Sequence, residues 1–235
     1  MSTARGIFIA GTDTGVGKTL VAAGLVRLLA GQDRRVLGLK PVASGAVQTA
    51  AGLRNADALA LAAESSVHVP YAATNPYCFE PAIAPHLAAA EIGVPMPVTA
   101  LTRWYQEVAT DAEFVIVEGA GGWRVPLHPD GFLSDLPEQL GLGVVLVVGL
   151  RLGCLNHARL TLEAIERSGR CRFVGWIGCQ VDPDFARLGA NLDTLARLLG
   201  QPALAVVPHL AAPEPGRTAS CLATPALTRA LAALA

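Results

Sequence analysis

Residues 6–19 read GIFIAGTDTGVGKT. Ile7 to Ala10 form a short apolar run rich in strand formers, and Gly11, Gly15 and Gly17 then free the backbone. From Lys18 an alanine- and leucine-rich segment predicts a helix to about Ala30. Strand, glycine loop, Lys-Thr and helix is the order of a phosphate-binding P-loop. The glycines let successive N–H groups converge on phosphate oxygens, and the helix N-terminus adds its positive dipole end. Lys18 can reach terminal phosphates, and the Thr19 hydroxyl can ligate Mg2+. The usual GxxxxGK[ST] spacing fails by one residue: Thr12 stands where the first glycine belongs, and Gly11 lies one position earlier.

Outward from this loop, strand and helix patterns alternate. Residues 35–40 predict a second strand, ending in Lys40 and the turn KPVASG at 40–45. A lysine at the end of a buried strand needs a polar cleft or a partner, and in open parallel sheets ligands bind at that end; a solvated loop lysine is the other reading. Residues 54–64 predict a helix with Asp57 in its first turn, where a carboxylate also suits the helix dipole. Residues 68–82, with three prolines, read as loop; 85–93 and 98–112 read as helices.

The stretch FVIVEGAGG at 114–122 is the second informative one. Four apolar residues predict a buried strand ending in Glu118. A carboxylate at that tip, beside a P-loop, is placed to hold Mg2+ directly or through water. Residues 144–149, VVLVVG, form a continuous apolar strand of the kind buried on both faces of a parallel sheet. Asn156 reads as an N-cap for a helix from His157 to about Ser168. A strand at 173–181, a helix at 185–199 and a last strand at 203–207 follow. Pro208, Pro213 and Pro215 mark a loop, and a closing helix runs towards Ala235. The expected fold is α/β: a single P-loop NTPase-like domain over 1–235, with a mainly parallel, doubly wound sheet flanked by helices.

Composition narrows the function classes. A chain of 235 residues, 52% hydrophobic and 16% charged, can build one large α/β core. A net charge of −1 makes no electrostatic case for nucleic acid or anionic membranes. The chain enters a strand almost at once, without a signal-like segment, and its longest apolar run is too short to span a bilayer. Five cysteines without a CxxC pair read as reduced packing residues in a cytoplasmic protein.

These motifs together resemble the dethiobiotin synthetase family. The resemblance rests on the lengthened P-loop, KPVASG at 40–45, GLRNADAL at 52–59, NPY at 75–77, APH at 84–86, VEGAGGW at 117–123 and LGCLNH at 152–157. It implies Mg2+- and ATP-dependent ring closure: diaminopelargonate and CO2 (bicarbonate) give a carbamate, ATP phosphorylates it, and the second amine closes the cyclic urea. It implies a homodimer whose diamine sites are shared across the interface. It implies catalytic roles for Lys18, Lys40 and Thr14, and metal ligation by Thr19, Asp57 and Glu118. ATP is expected along Gly15 to Leu20 (with Val16 and Gly17 between), at Gly119, Ala120 and Gly121, and at Cys179, Gln180, Pro208, His209 and Leu210. The diamine is expected at Thr14, Lys40 and Ser44, and its tail carboxylate at Gly153, Cys154, Leu155 and Asn156 of the second subunit. Three positions depart from the family pattern: the Asn–Asp pair is Cys179-Gln180, a pocket tyrosine is Asn191, and the acidic loop residue is Gly15. The competing reading is a switch ATPase of the partitioning or cell-division type; Asp13, where those proteins carry an extra lysine, argues against it. A cofactor-amidating relative would need a fused glutaminase domain, for which 235 residues leave no room.

Overall fold

The structure is a computed structural model and describes residues 5–128, 131–212 and 214–234. Six strands form one parallel sheet: β1 (Arg5–Gly11), β2 (Val36–Leu39), β3 (Phe114–Glu118), β4 (Gly143–Gly149), β5 (Arg172–Cys179) and β6 (Ala205–Val207). Their spatial order is β6-β5-β4-β1-β3-β2. The P-loop strand is therefore central, with β3 on one side and β4 on the other. After β2 and β3 the chain crosses to β4, so the order reverses around β1 and a crevice opens at the carboxyl ends.

Among the described residues, ten α-helices flank the sheet: α1 (Lys18–Ala30), α2 (Ala56–Glu64), α3 (Tyr71–Thr74), α4 (Pro85–Glu91), α5 (Val98–Val108), α6 (Asp135–Leu140), α7 (Cys154–Ser168), α8 (Leu188–Leu198), α9 (Pro215–Leu222) and α10 (Pro225–Ala232). Alternate strand residues feed two cores. Ile7, Ile9, Ile116 and Val145 pack with Leu25 of α1, Leu61 of α2 and Leu222 of α9. Phe8, Val115, Val144 and Leu146 pack with Leu101 of α5, Leu136 of α6 and Leu162 of α7. Both faces are covered, which is why the strands read as unbroken apolar runs rather than alternating ones. At about 25 cal/mol per Å2 of apolar surface removed from water, these layers supply the main folding force.

Several boundaries differ from the sequence reading. The helix expected from His157 begins at Cys154, and its N-cap is Gly153, not Asn156. Gly153 has φ of +93°, a left-handed turn open to glycine and closed to most side chains. Asn156 sits inside the first turn instead. The loop expected over 68–82 holds the one-turn α3 and a two-residue strand at Tyr77–Cys78. The helix expected at 185–199 starts at Leu188, because Arg187 takes a left-handed conformation. The closing helix is two helices; Pro215 opens the first and Pro225 the second, each at a first-turn position that needs no N–H donor. Pro213 and Ala235 lie outside the described residues. All five cysteines are free thiols. No helix among the described residues is long and apolar enough to cross a membrane.

Candidate active site

A cleft of about 1160 Å3 lies along the carboxyl ends of the strands. Its floor is the P-loop. Gly17 N-caps α1 with φ of +94°, and an added Cβ there would collide with Cys179 Sγ. Only glycine meets both demands, so loop and helix start are fixed together.

Four charged side chains converge on this floor. Lys40 Nζ lies 2.6 Å from Glu118 Oε1 and 2.9 Å from Asp57 Oδ2, and donates to Gly119 O at 3.1 Å. The Thr19 hydroxyl donates to the same Glu118 Oε1 at 2.8 Å. Lys18 Nζ donates to Asp13 O at 2.8 Å. Lys40 and Glu118 are 3% and 0% exposed. This excludes the solvated-loop reading of Lys40. Asp57 follows the N-cap residue Asn55, yet its carboxylate is ion-paired with Lys40, so it does more than serve the helix dipole.

Burial, with Lys40 adding to it, brings the Lys18 ammonium down from 10.5 to about 8. Burial alone pushes Lys40 down too, but Glu118 and then Asp57 outweigh it and hold Lys40 above the ordinary lysine range. Burial lifts Glu118 above the usual carboxylate range, against the pull of Lys40. Asp57 also feels burial, yet Lys40 holds it below that range. The four formal charges cancel, so the ligand-free floor is close to neutral.

Lys40 is braced through its backbone. Its N–H donates to Thr74 O at 2.9 Å, and its carbonyl accepts Asn75 Nδ2 at 2.7 Å. Asn55 caps α2 through its Oδ1, and its Nδ2 donates to Ser44 O at 3.3 Å. Sequence reading singled out neither asparagine for such a role; the caps and braces they make depend on loops brought together only by folding.

Within the cleft, two buried polar atoms, Glu118 Oε2 and Ser44 Oγ, make no hydrogen bond among the described residues. Such groups are rare unless a ligand or water completes them. Thr19, Asp57 and Glu118 supply hard oxygen donors of the kind Mg2+ takes. No cluster of three or more His, Cys, Asp or Glu among the described residues would hold a metal unaided. The fit is to a metal that arrives with phosphate oxygens.

The cleft brings together most of the expected residues. Thr14, Gly15, Gly17, Lys18, Thr19 and Leu20 line it, as do Lys40, Ser44, Asp57, Glu118, Ala120 and Gly121. Cys179, Gln180, Pro208, His209 and Leu210 line its far end. Val16 is buried against Gly149, and Gly119 gives its carbonyl to Lys40. Gly153, Cys154, Leu155 and Asn156 are not in its wall. Arg124 and Ile83 line it unanticipated; the Gly-Gly-Trp turn before Arg124 was the available signal.

The fold and this floor define a P-loop nucleotide-binding protein. Solved structures agree on the fold: a ParA family ATPase from Chlorobium tepidum superposes with a TM-score of 0.57 at 16% identity, covering 99% of this chain and 98% of that one. MinD from Aquifex aeolicus gives 0.55 at 14%, covering 98% and 95%. The family model described as AAA domain matches residues 5–216. Proteins named ATP-dependent dethiobiotin synthetase BioD are far nearer in sequence. That of Pseudomonas paraeruginosa is 52% identical over 92% of this chain and 94% of its own. That of Aromatoleum aromaticum is 44% identical over 96% and 100%. The chain belongs to the dethiobiotin synthetase family.

Proposed function

We propose that this chain is an ATP-dependent dethiobiotin synthetase, a ligase of biotin synthesis working in the cytoplasm as a homodimer. The observation that carries the reading is the convergence of Lys18, Lys40, Asp57 and Glu118 beside the phosphate loop, in a chain half identical to proteins named for that activity.

One amine of diaminopelargonate adds to CO2 and loses a proton, giving a carbamate. A carbamate oxygen attacks the γ-phosphorus of ATP, the bond to the bridging oxygen breaks, and ADP leaves. The second amine attacks the carbonyl carbon of the mixed anhydride. Its C–O bond breaks, phosphate leaves, the amine proton is lost, and the cyclic urea closes.

Both partners in the phosphoryl step are anions, so catalysis lies in offsetting their repulsion and aligning them. Lys18 and Lys40 flank the transferring group. Thr14 and the unpartnered Ser44 hydroxyl hydrogen-bond the carbamate or the diamine. The floor's own charges cancel, so the incoming phosphates require added positive charge. Thr19, Asp57 and Glu118 would hold Mg2+ together with phosphate oxygens, and the ion would supply that positive charge. Cys179, Gln180, Pro208, His209 and Leu210 flank the base. In the dimer, the start of α7, Gly153 to Asn156, receives the diamine's tail carboxylate at the second copy's site, where a helix N-terminus favours anions.

The test is direct. Purified chain with diaminopelargonate, bicarbonate, Mg2+ and ATP should form dethiobiotin and ADP in equal amounts, with hydrolysis dependent on the diamine. ATP turnover indifferent to the diamine would refute the reading.

A further inference from the structure

β1 and β4 are neighbours in the sheet, so the loops leaving their carboxyl ends run side by side. Three contacts stitch the loop after β1 to the end of β4 and the turn that follows it. Thr12 N–H donates to Val147 O at 3.1 Å. Val16 packs on Gly149, where an added Cβ would meet its Cγ1 at 2.9 Å. Arg151 Nη2 donates to Asp13 Oδ2 at 2.7 Å.

Asp13 is the hub of the P-loop side. Its Oδ1 accepts Thr14 N–H at 2.7 Å, and its carbonyl accepts Lys18 Nζ at 2.8 Å. Arg151 is the hub of the other side. Its carbonyl accepts Cys154 N–H at 3.1 Å, closing the turn that starts α7. Between them in that turn, Leu152 is 93% exposed, a large apolar side chain held away from its own subunit.

We propose that Asp13 and Arg151 are a positioning pair that sets the phosphate loop and the amino-terminal turn of α7 as one unit. Resting on the shared-site reading above, the pair ties the nucleotide site of one subunit to the tail-carboxylate site it lends to the other. Two effects follow from the geometry. The guanidinium fixes where the α7 turn stands. It also neutralises a carboxylate inside the phosphate loop, which unpaired would repel a polyphosphate. Both side chains are close to half exposed, so the pair adds little to folding stability; its worth is placement and charge.

The test is steady-state kinetics of the full dimeric chain carrying Arg151→Gln, Arg151→Lys, Asp13→Asn or the Gln/Asn pair. Arg151→Gln should raise the KM for ATP and the KM for the diamine, each by about tenfold, with the melting temperature little changed. Adding Asp13→Asn should return the ATP KM to within about threefold of wild type, because the repelling charge is gone, and leave the diamine KM raised. Arg151→Lys should keep the ATP KM near wild type. Both KM values within about twofold of wild type in Arg151→Gln, or a lowered melting temperature with KM unchanged, would overturn the pair. So would a double variant as poor for ATP as Arg151→Gln alone. An unmodified chain that makes no dethiobiotin refutes the activity instead; the charge effect is then read from the Kd of a fluorescent ATP analogue in the same variants, and an unchanged Kd in Arg151→Gln overturns it.

Discussion

Lys40 and Glu118 form a buried ion pair, 2.6 Å from Nζ to Oε1, between the ends of two adjacent strands. Loss of Lys40 strands the fully buried Glu118 carboxylate without a counter-charge. Lys40→Met should therefore lower stability by about 3–5 kcal/mol, and Lys40→Met/Glu118→Gln should recover most of it, because the only carboxylate then left without its lysine is Asp57, which is 39% exposed and open to water. Urea midpoints at constant m measure this. Turnover should fall by roughly 10³-fold in both variants. Stability lost equally in the double variant would argue against the pair as the cause.

Lys18 titrates near pH 8 in the ligand-free protein. Its folded pKa lies below its unfolded one, so the charged form penalises folding below about pH 8. The penalty is relieved as pH rises from there towards 10.5. Phosphates arriving beside Lys18 stabilise the ammonium and raise its pKa, so nucleotide binding takes up protons just above pH 8. Calorimetry in two buffers of different ionisation enthalpy should give that uptake, and Lys18→Met should abolish it.

Thr19 gives its proton to Glu118 at 2.8 Å. Thr19→Val removes one oxygen donor and that link while keeping the side-chain shape. The Mg2+ concentration for half-maximal turnover should rise by about tenfold. Metal-free nucleotide binding, read by a fluorescent analogue, should hardly move.

Gln180 stands at the base end of the cleft, but its Nε2 already donates to Pro183 O at 3.2 Å. The side chain is thus used in holding its own turn. Gln180→Ala should change the KM ratio of ATP to GTP by no more than about twofold, equivalent to a few tenths of a kcal/mol. A larger change would give that amide a part in reading the base.

What the sequence disclosed follows from what is local. Residues 114–117 and 144–149 declared themselves as strands because burial on both faces leaves no polar position. Lys18 and Thr19 declared themselves because a loop between strand and helix is a contiguous motif. The pairing of Asp13 with Arg151 spans 138 positions and leaves no local trace. The same holds for the brace from Asn75 to Lys40. Asn156 misled for a local reason: asparagine favours N-caps, but the left-handed Gly153 starts α7 three residues earlier. Asp57 read first as a helix-dipole residue because the lysine it meets lies on another element.

The central position of β1 also bears on how the chain is made. Ile7 to Ile9 pair with Ile116 to Glu118 and with Gly143 to Val145. Once synthesised, β1 thus waits for partners more than a hundred residues away. At about 5–20 residues per second that interval is on the order of ten seconds. Throughout it, an apolar segment with open edges must be kept from pairing with other chains. Production of this protein should depend on holdase capacity more than on its final stability.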